Sequence, residues 1–310
     1  MAGDRLGWVV TRVVAAVGIL IAAGCGSSSP TERSAQPPHG SLEALAQGSG
    51  QTVAITPGDA DFSPGPIRFS FLVIARDGRV VLEPKASVWL SRGLKQSPFQ
   101  HATARLEPIG VPGVSALPDD VPSIYVVHLR APAPGTYWLL AKPHGAAIDG
   151  LGNVIVRAKT SSPAIGAAAP RSQSPTLAST HGDLAALSTA THPDRALYTT
   201  SVAQALAAGE PFVLAFATPK FCTSRTCGPV VDVLAYVQRK LAGTPVRFIH
   251  VEVFADNDPA KGYNSWMKQW RLESEPWIFL VGRDGRIKAK FEGSVSVAEL
   301  TKAIRATLLG

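Results

Sequence analysis

The N-terminal half of the chain is patterned as short strands. Residues 67–73 read Ile-Arg-Phe-Ser-Phe-Leu-Val, with a large apolar side chain at every second position, and Arg76-Asp77-Gly78 supplies a tight turn after them. Similar segments follow at 86–90, 102–109, 123–129, 135–141 and 153–157. A period of two predicts strands with one buried face. About seven strands at this spacing favour an all-β sandwich over residues 52–160.

The C-terminal part, residues 181–310, combines helical and strand patterns. Helices are predicted over 201–208, over 230–241, and from Ser296, where Ser296 and Glu299 form a capping-box sequence. Strands are predicted over 211–217, 246–253, 277–281 and 287–291, the last two forming a hairpin around Arg283-Asp284-Gly285. The element order predicts an α/β layer fold in which helices flank a mixed sheet.

Two segments have compositions that cannot bury a core. Residues 161–180 are rich in Ser, Pro, Ala and Gly and are interpreted as an interdomain linker. Residues 25–51 have a similar composition and are interpreted as a flexible tether.

The first 24 residues have the pattern of an export signal. Arg5 and Arg12 precede the apolar stretch 13–23, which is followed by small residues and Cys25. A bilayer-crossing helix needs roughly 20 apolar residues, so a retained transmembrane helix is the weaker interpretation. Ala22-Ala23-Gly24-Cys25 resembles the lipobox of bacterial lipoproteins. This resemblance implies an extracytoplasmic protein that is anchored to the cell membrane by lipid on Cys25; the alternative is a soluble secreted protein.

Composition and charge narrow the function classes. The 310 residues are 45% hydrophobic and 17% charged, which excludes a wholly disordered chain. The 28 Gly and 25 Pro argue against an all-helical protein. The formal charge is +7, but the basic residues are scattered, so we predict no nucleic-acid partner. No nucleotide loop, Ser/His/Asp arrangement or zinc-ligand spacing is present, and we predict no cofactor and no resident metal.

Besides Cys25, the chain has two cysteines, Cys222 and Cys227. In an oxidising compartment such a pair is either a permanent disulfide or a working dithiol, and metal binding is a further alternative. Pro229 suits the first turn of a helix, which places Cys227 beside unpaired backbone N–H groups that favour a thiolate. The pattern does not decide whether Cys222 or Cys227 is the attacking residue.

The element order over about Ala196–Leu309 resembles the thioredoxin fold, and the export signal suggests its TlpA-like and Sco-like extracytoplasmic branches. Residues 212–217 look like the strand before the active site, 221–229 look like the cysteine loop, and Glu275-Pro276-Trp277 stands where the family has its cis-proline. The resemblance implies a cis Pro276 that packs against the disulfide and an extended substrate beside it. Two departures are the four residues between the cysteines and the Ala215 that stands where the family has a buried acid.

Residues 134–139 look like a late strand of immunoglobulin-like domains.

The fold prediction is therefore a thioredoxin-like α/β domain preceded by an immunoglobulin-like β-sandwich. The predicted function is exchange of disulfides with the thiols of exported proteins and with a redox partner, through Cys222 and Cys227. Glu252 is a candidate proton acceptor, and a solvated strand-end carboxylate is its alternative interpretation. Two other functions remain open: a non-catalytic binding lipoprotein with a structural disulfide, and a Sco-like copper chaperone. The latter is weakened because residues 254–276 contain no histidine.

Overall fold

The alternating segments fold as seven strands that close on themselves. The computed structural model describes residues 36–47, 50–113, 121–221 and 230–310. The barrel order is β1-β2-β5-β4-β3-β6-β7, and β7 pairs back to β1. The strands are β1 (Gln51–Pro57), β2 (Gly65–Val73), β3 (Lys85–Ser91), β4 (Gln100–Pro108), β5 (Ser123–Ala131), β6 (Gly135–Pro143) and β7 (Ile148–Val156). The predicted inward residues of β2, including Phe69 and Phe71, are buried in the barrel core.

Closure of the barrel depends on β1. Its first half pairs parallel with β7, and its second half, from Ile55, pairs antiparallel with β2. Gly150 of β7 makes the close approach possible, because a Cβ atom there would lie 2.9 Å from Ile55 Cγ1 and 3.0 Å from Val73 Cγ2. A single strand that changes partner along its length thus joins the two ends of the sheet.

The predicted immunoglobulin-like sandwich is wrong. The strands were expected in two packed layers, but they form one continuous closed sheet. Sandwich and barrel strands share the same alternation of inward and outward side chains, so the pattern does not distinguish them. The deciding contacts join residues about 100 positions apart, such as Gln51 and Ile148.

Residues 212–292 contain a four-stranded mixed sheet in the order β11-β10-β8-β9. Its strands are β8 (Phe212–Phe216), β9 (Arg247–Val251), β10 (Trp277–Val281) and β11 (Ile287–Glu292). Strands β8 and β9 are parallel, and β10 is antiparallel to both β8 and β11. The predicted hairpin from β10 to β11 is confirmed.

The helices of the described residues are short. They are α1 (Leu42–Ala46), α2 (Val202–Ala207), α3 (Val230–Lys240), α4 (Ser265–Gln269) and α5 (Val297–Leu308). In this part of the chain only α3 and α5 exceed two turns, and no helix is long and apolar enough to cross a bilayer. Helices α3 and α5 cover one face of the sheet, whereas the other face is covered by α2, α4 and irregular chain around Ala169.

The predicted fold class, a thioredoxin-like α/β domain, is also wrong. The described part of the chain is predominantly β, with a seven-stranded barrel, a four-stranded sheet and few helical residues. The error comes from extending a local pattern to a whole architecture, because short apolar runs and capping residues identify elements but not their assembly. The described residues contain no cysteine, so neither a disulfide nor lipidation is seen in them, and the predicted export signal and Cys25 lie outside them.

The first residues of α2 and α5 show which contacts a local sequence pattern can predict and which it cannot. The helix predicted over 201–208 is present as α2 with Ser201 as its N-cap, and Gln204 completes a capping box that was not predicted. Ser296 also caps α5 by accepting a hydrogen bond from the Glu299 N–H, 3.0 Å away. The Glu299 carboxylate, however, does not return to the cap but binds Arg68 of the barrel.

Arg68 is the centre of the junction between barrel and sheet. Its guanidinium donates to both carboxylate oxygens of Glu299, at 2.7 and 2.9 Å, and to the Ser294 carbonyl at 2.8 Å. Asp59 lies 3.3 Å from a third nitrogen, and the Arg68 side chain is only 11% exposed. A buried guanidinium requires such a complete set of acceptors. The β2 strand of the barrel is therefore positioned against α5 and the end of the sheet.

A second group of contacts extends this junction. One oxygen of the Glu292 carboxylate accepts hydrogen bonds from the backbone N–H groups of Ala60 and Asp61, both at 2.7 Å. Gly293 has a positive φ of 73°, and a Cβ atom there would clash with the Gly58 carbonyl oxygen. The barrel loop at Gly58 and the end of the sheet at Gly293 therefore lie so close that no side chain fits between them at Gly293.

The segment predicted as a linker, residues 161–180, lies along the edge strand β11. The Gly166 N–H donates to the Ile287 carbonyl at 2.8 Å, and the Ile287 N–H donates to the Ala167 carbonyl at 3.0 Å. Ala169 is buried with the core of the sheet. Part of this segment thus protects an edge that otherwise exposes unpaired backbone groups.

Replacing Arg68 by Met is expected to lower the free energy of unfolding by about 3–5 kcal/mol, because Glu299 and Asp59 lose their buried counter-charge. Urea unfolding at neutral pH measures the loss. Arg79→Met is the matched control, since the Arg79 side chain is 66% exposed and its pair with Asp77 is worth at most about 1 kcal/mol. Equal losses in the two variants would contradict the role given to Arg68.

Burial raises the pKa of Asp59 to about 7, with Glu292 adding to the rise and Arg68 opposing it. The folded protein therefore keeps a proton that the unfolded chain releases above its ordinary pKa near 3.8, so stability falls as pH rises towards 7. Asp59→Asn should remove this component, which is at most about 1.4 kcal/mol per pH unit. Urea unfolding between pH 4.5 and 7.5 tests this expectation, and parallel curves for wild type and variant would exclude it.

Candidate functional site

The candidate site lies along the edge of the four-stranded sheet that is formed by the ends of its strands, not along the outer strand β11. Phe216, Trp277 and Glu292 are in register across β8, β10 and β11, so the end of β8, the start of β10 and the end of β11 share that edge. Strand β9 is parallel to β8 and ends beside it. Cys222 and Cys227 belong to the connection between β8 and α3 and lie outside the described residues, which resume at Val230. The described part of the site is thus the set of side chains where that connection starts.

Glu252 follows β9 and is only 5% exposed. Its Oε1 accepts hydrogen bonds from the Thr189 N–H at 2.6 Å and from the Thr189 hydroxyl at 2.8 Å. Its buried Oε2 has no hydrogen-bond partner among the described residues. Glu252 is therefore not the solvated strand-end carboxylate of the alternative interpretation.

A second buried carboxyl group, that of Glu275, immediately precedes Pro276. Its Oε2 is also buried, and no described residue forms a hydrogen bond with it. Burial raises the pKa of Glu275 to about 7, the Thr218 backbone N–H lowers it in part, and the charge of Glu252 raises it further. Glu275 and Glu252 thus interact electrostatically, and Glu275 titrates near neutrality.

Pro276 lies between Glu275 and the first residue of β10. The Glu275–Pro276 peptide bond is cis, in agreement with the prediction for this residue. The backbone continues as β10, whose Trp277 pairs with Phe216 of β8. Pro276 is thereby held at the same sheet edge as the start of the cysteine-bearing connection.

His250 is a fully engaged core residue. Its Nε2 lies 3.0 Å from the Ala217 carbonyl oxygen, and its Nδ1 lies 2.8 Å from the Tyr198 hydroxyl. Burial lowers the pKa of His250, although Glu252 and Ala217 oppose the shift. A neutral imidazole that donates from Nε2 to Ala217 and accepts at Nδ1 from Tyr198 satisfies both contacts. His250 therefore helps to hold the chain at the end of β8.

Thr218 and Thr189 connect the two strand ends. Their hydroxyl oxygens are 3.5 Å apart, and the Thr189 hydroxyl also accepts from the Lys220 N–H at 3.2 Å. Through Thr189, the chain that leads to Cys222 is joined to the Glu252 carboxylate. The site is therefore a connected polar cluster rather than isolated side chains.

The sequence predicted Glu252 and Pro276 as site residues, and the structure places Glu275, Thr189 and Tyr198, which were not predicted, beside them. An acid directly before a proline and an apolar strand was a usable signal for Glu275. Thr189 and Tyr198 carry no signal, because each reaches the site from more than 50 positions away in the sequence. Their contribution depends entirely on how the chain returns to the sheet.

No protein-family model, curated protein or solved structure matches this chain. Its chemistry therefore has to be inferred from the site itself. Glu275, whose pKa burial raises to about 7, can accept, hold and return a proton near neutral pH, and the buried Glu252 carboxyl group lies beside it. In the described ranges no group of three or more His, Cys, Asp or Glu side chains is placed to hold a metal ion.

Glu275→Gln is expected to make the protein more stable than wild type at pH 8 but not at pH 4. The raised pKa means that wild type loses stability as pH rises from about 4.5 to about 7, and the neutral amide does not share this loss. The difference grows by at most about 1.4 kcal/mol per pH unit within that window.

Urea unfolding across the pH series measures this difference. Glu273→Gln is the matched control, because the Glu273 side chain is 70% exposed. If Glu275→Gln follows the control at every pH, its carboxyl group is not the buried, proton-holding group described above.

Proposed function

We propose that this protein is a thiol–disulfide oxidoreductase whose reacting groups are Cys222 and Cys227. The buried Glu252–Glu275 pair serves it as the proton store. The observation that carries the proposal is the buried Oε2 atom on each of these two carboxyl groups, with which no described residue forms a hydrogen bond. They lie at the edge where the chain leaves β8 towards the two cysteines.

The position of the carboxyl pair fits thiol chemistry. A thiol must lose its proton before it attacks a disulfide, and a departing thiolate must gain one. A carboxyl group that titrates near pH 7 is well matched to both transfers at neutral pH. The pKa of Glu275, raised to about 7, meets that requirement, whereas an exposed carboxylate does not.

The proposed reaction has two exchange steps. One cysteine thiol gives its proton to the carboxyl pair, and its thiolate attacks a substrate disulfide, so that a mixed disulfide forms and one substrate thiolate leaves. The second cysteine then attacks the mixed disulfide, which forms the Cys222–Cys227 bond and releases the second substrate thiolate. The substrate gains two electrons, the cysteine pair loses two, and the departing thiolates take up the two protons. Oxidation of substrate dithiols is the same sequence in reverse.

The alternative of a copper chaperone is disfavoured by His250. Copper coordination by two thiolates and an imidazole needs a free ring nitrogen. Both nitrogens of His250 are engaged, with Tyr198 and Ala217. Thiol–disulfide exchange makes no such demand.

The proposed partners are exported proteins with thiols or disulfides and a redox partner that resets the cysteine pair. The proposed location, outside the cytoplasm at the cell membrane, rests on the sequence of the N-terminal segment. That compartment keeps disulfides stable enough to be substrates.

Two single variants, Cys222→Ser and Cys227→Ser, test the proposal directly. In a glutathione redox buffer we expect the wild-type pair to open reversibly above about −300 mV, and one variant to trap a mixed disulfide. That variant retains the attacking cysteine. A bond that resists reduction until the protein unfolds would mean a structural disulfide and would refute the proposal.

The role of the carboxyl pair has its own test. The rate of exchange with a small disulfide should show a limb near pH 7 in wild type and in Glu273→Gln, but not in Glu275→Gln. We also expect Glu252→Gln to slow exchange at neutral pH by about tenfold or more. Unchanged pH profiles in both site variants would remove the carboxyl groups from the mechanism.

A further inference from the structure

A cleft of about 380 Å³ lies between the barrel and the four-stranded sheet. This volume falls in the range of small-ligand and side-chain pockets. Its apolar walls come from Phe62 and Ile67 of the barrel side, Trp277 and Phe291 of the sheet, and Ile165 between them. Ile165 is 62% exposed, whereas Phe62 and Trp277 are buried. The cleft thus has buried inner walls and an accessible apolar rim that includes Ile165.

The charged groups that line the cleft are engaged by the protein. The Arg68 guanidinium binds Glu299, Asp59 and the Ser294 carbonyl. The Lys290 ammonium donates to the hydroxyl groups of Thr160 and Ser162, at 3.1 and 2.6 Å. The surface that remains available to a bound ligand in the cleft is therefore mainly apolar.

The carboxylates around the cleft add selectivity. Asp61 accepts from the backbone N–H groups of Ser161 and Ser162, and Glu292 accepts from Ala60 and Asp61. Asp61 and Glu292 match the two cations, Arg68 and Lys290, in number, and Asp59 keeps its proton up to about pH 7. Because both cations are already engaged by the protein, an acidic side chain that enters the cleft loses its hydration and gains no free counter-charge, which disfavours its binding.

The cleft is continuous with the sheet edge of the candidate site. Trp277 lines it and is in register with Phe216, the last residue of β8. The β8 and β11 strands are separated by two strand spacings, which is about 10 Å. An extended peptide covers that distance in about three residues.

We propose that the cleft receives a bulky apolar side chain of the substrate polypeptide, about three residues along the peptide from the residue that lies beside the end of β8. The assignment rests on the proposed thiol–disulfide exchange for the identity of the peptide. It makes the barrel the part of the protein that selects substrates, and it predicts discrimination against an acidic residue at that position.

The probe is a short linear peptide that carries a single leucine, and serine in place of its cysteine, so that only noncovalent binding is measured. NMR follows the methyl group of Ile165 and the indole N–H of Trp277 during titration of the full chain. The reference is the methyl group of Ile155, which is 59% exposed on β7 and does not line the cleft.

We expect the leucine peptide to shift the Ile165 and Trp277 signals and to leave Ile155 unchanged. Peptides with glycine or aspartate in place of leucine should bind several-fold more weakly. Ile165→Ala should weaken binding of the leucine peptide several-fold, and Ile155→Ala should not. Equal binding of the three peptides, no shift at Ile165, or equal effects of the two variants would overturn the assignment.

A parallel reaction with a small disulfide separates the two proposals. If the wild type exchanges with this small disulfide but does not discriminate among the peptides, the cleft assignment is refuted and the oxidoreductase proposal is not. Selective binding of the leucine peptide, without any exchange, supports an apolar peptide cleft and refutes the oxidoreductase.

Discussion

The buried guanidinium of Arg68 constrains much of this structure. A charge removed from water is stable only with acceptors of fixed geometry, and Arg68 finds them on Glu299, Asp59 and the Ser294 carbonyl. Two of these acceptors belong to the sheet part of the chain, more than 200 residues away. Because a guanidinium presents its donors in a rigid plane, the pairing specifies one orientation of barrel against sheet. The ion pair thereby gives the junction specificity whether or not it adds net stability.

The same junction connects architecture with chemistry. Glu292 binds the barrel loop through Ala60 and Asp61 and is in register with Trp277, which follows Pro276. The sheet edge that holds the two buried carboxyl groups is therefore also the edge that meets the barrel. Buried carboxyl groups without full hydrogen bonding are costly, so their surroundings must be rigid to retain them. Thr189 holds the Glu252 carboxylate through two hydrogen bonds, and Tyr198 holds the neighbouring His250.

The elements of the fold were largely readable from local pattern, but their assembly was not. The alternation of residues 67–73 identified β2, and the turn at Asp284-Gly285 identified the hairpin from β10 to β11. The same alternation fits a sandwich or a barrel, and the choice depended on β1, which pairs with β7 and with β2 in turn. Likewise, Glu299 has the spacing of a capping box, yet a buried arginine from the barrel outcompetes the local partner.

For the candidate site, the sequence by itself determined the reactive residue types: two cysteines in one connection, an acid at the end of β9 and a proline before β10. Only the tertiary structure decided that Glu252 is buried, that Glu275 joins it, and that Thr189 and Tyr198 complete the cluster. The physical reason is that the pKa of an acid depends on desolvation and on neighbouring charges. The desolvation and the neighbouring charges both come from residues that are far apart in the chain, so they cannot be predicted from the local sequence around the acid.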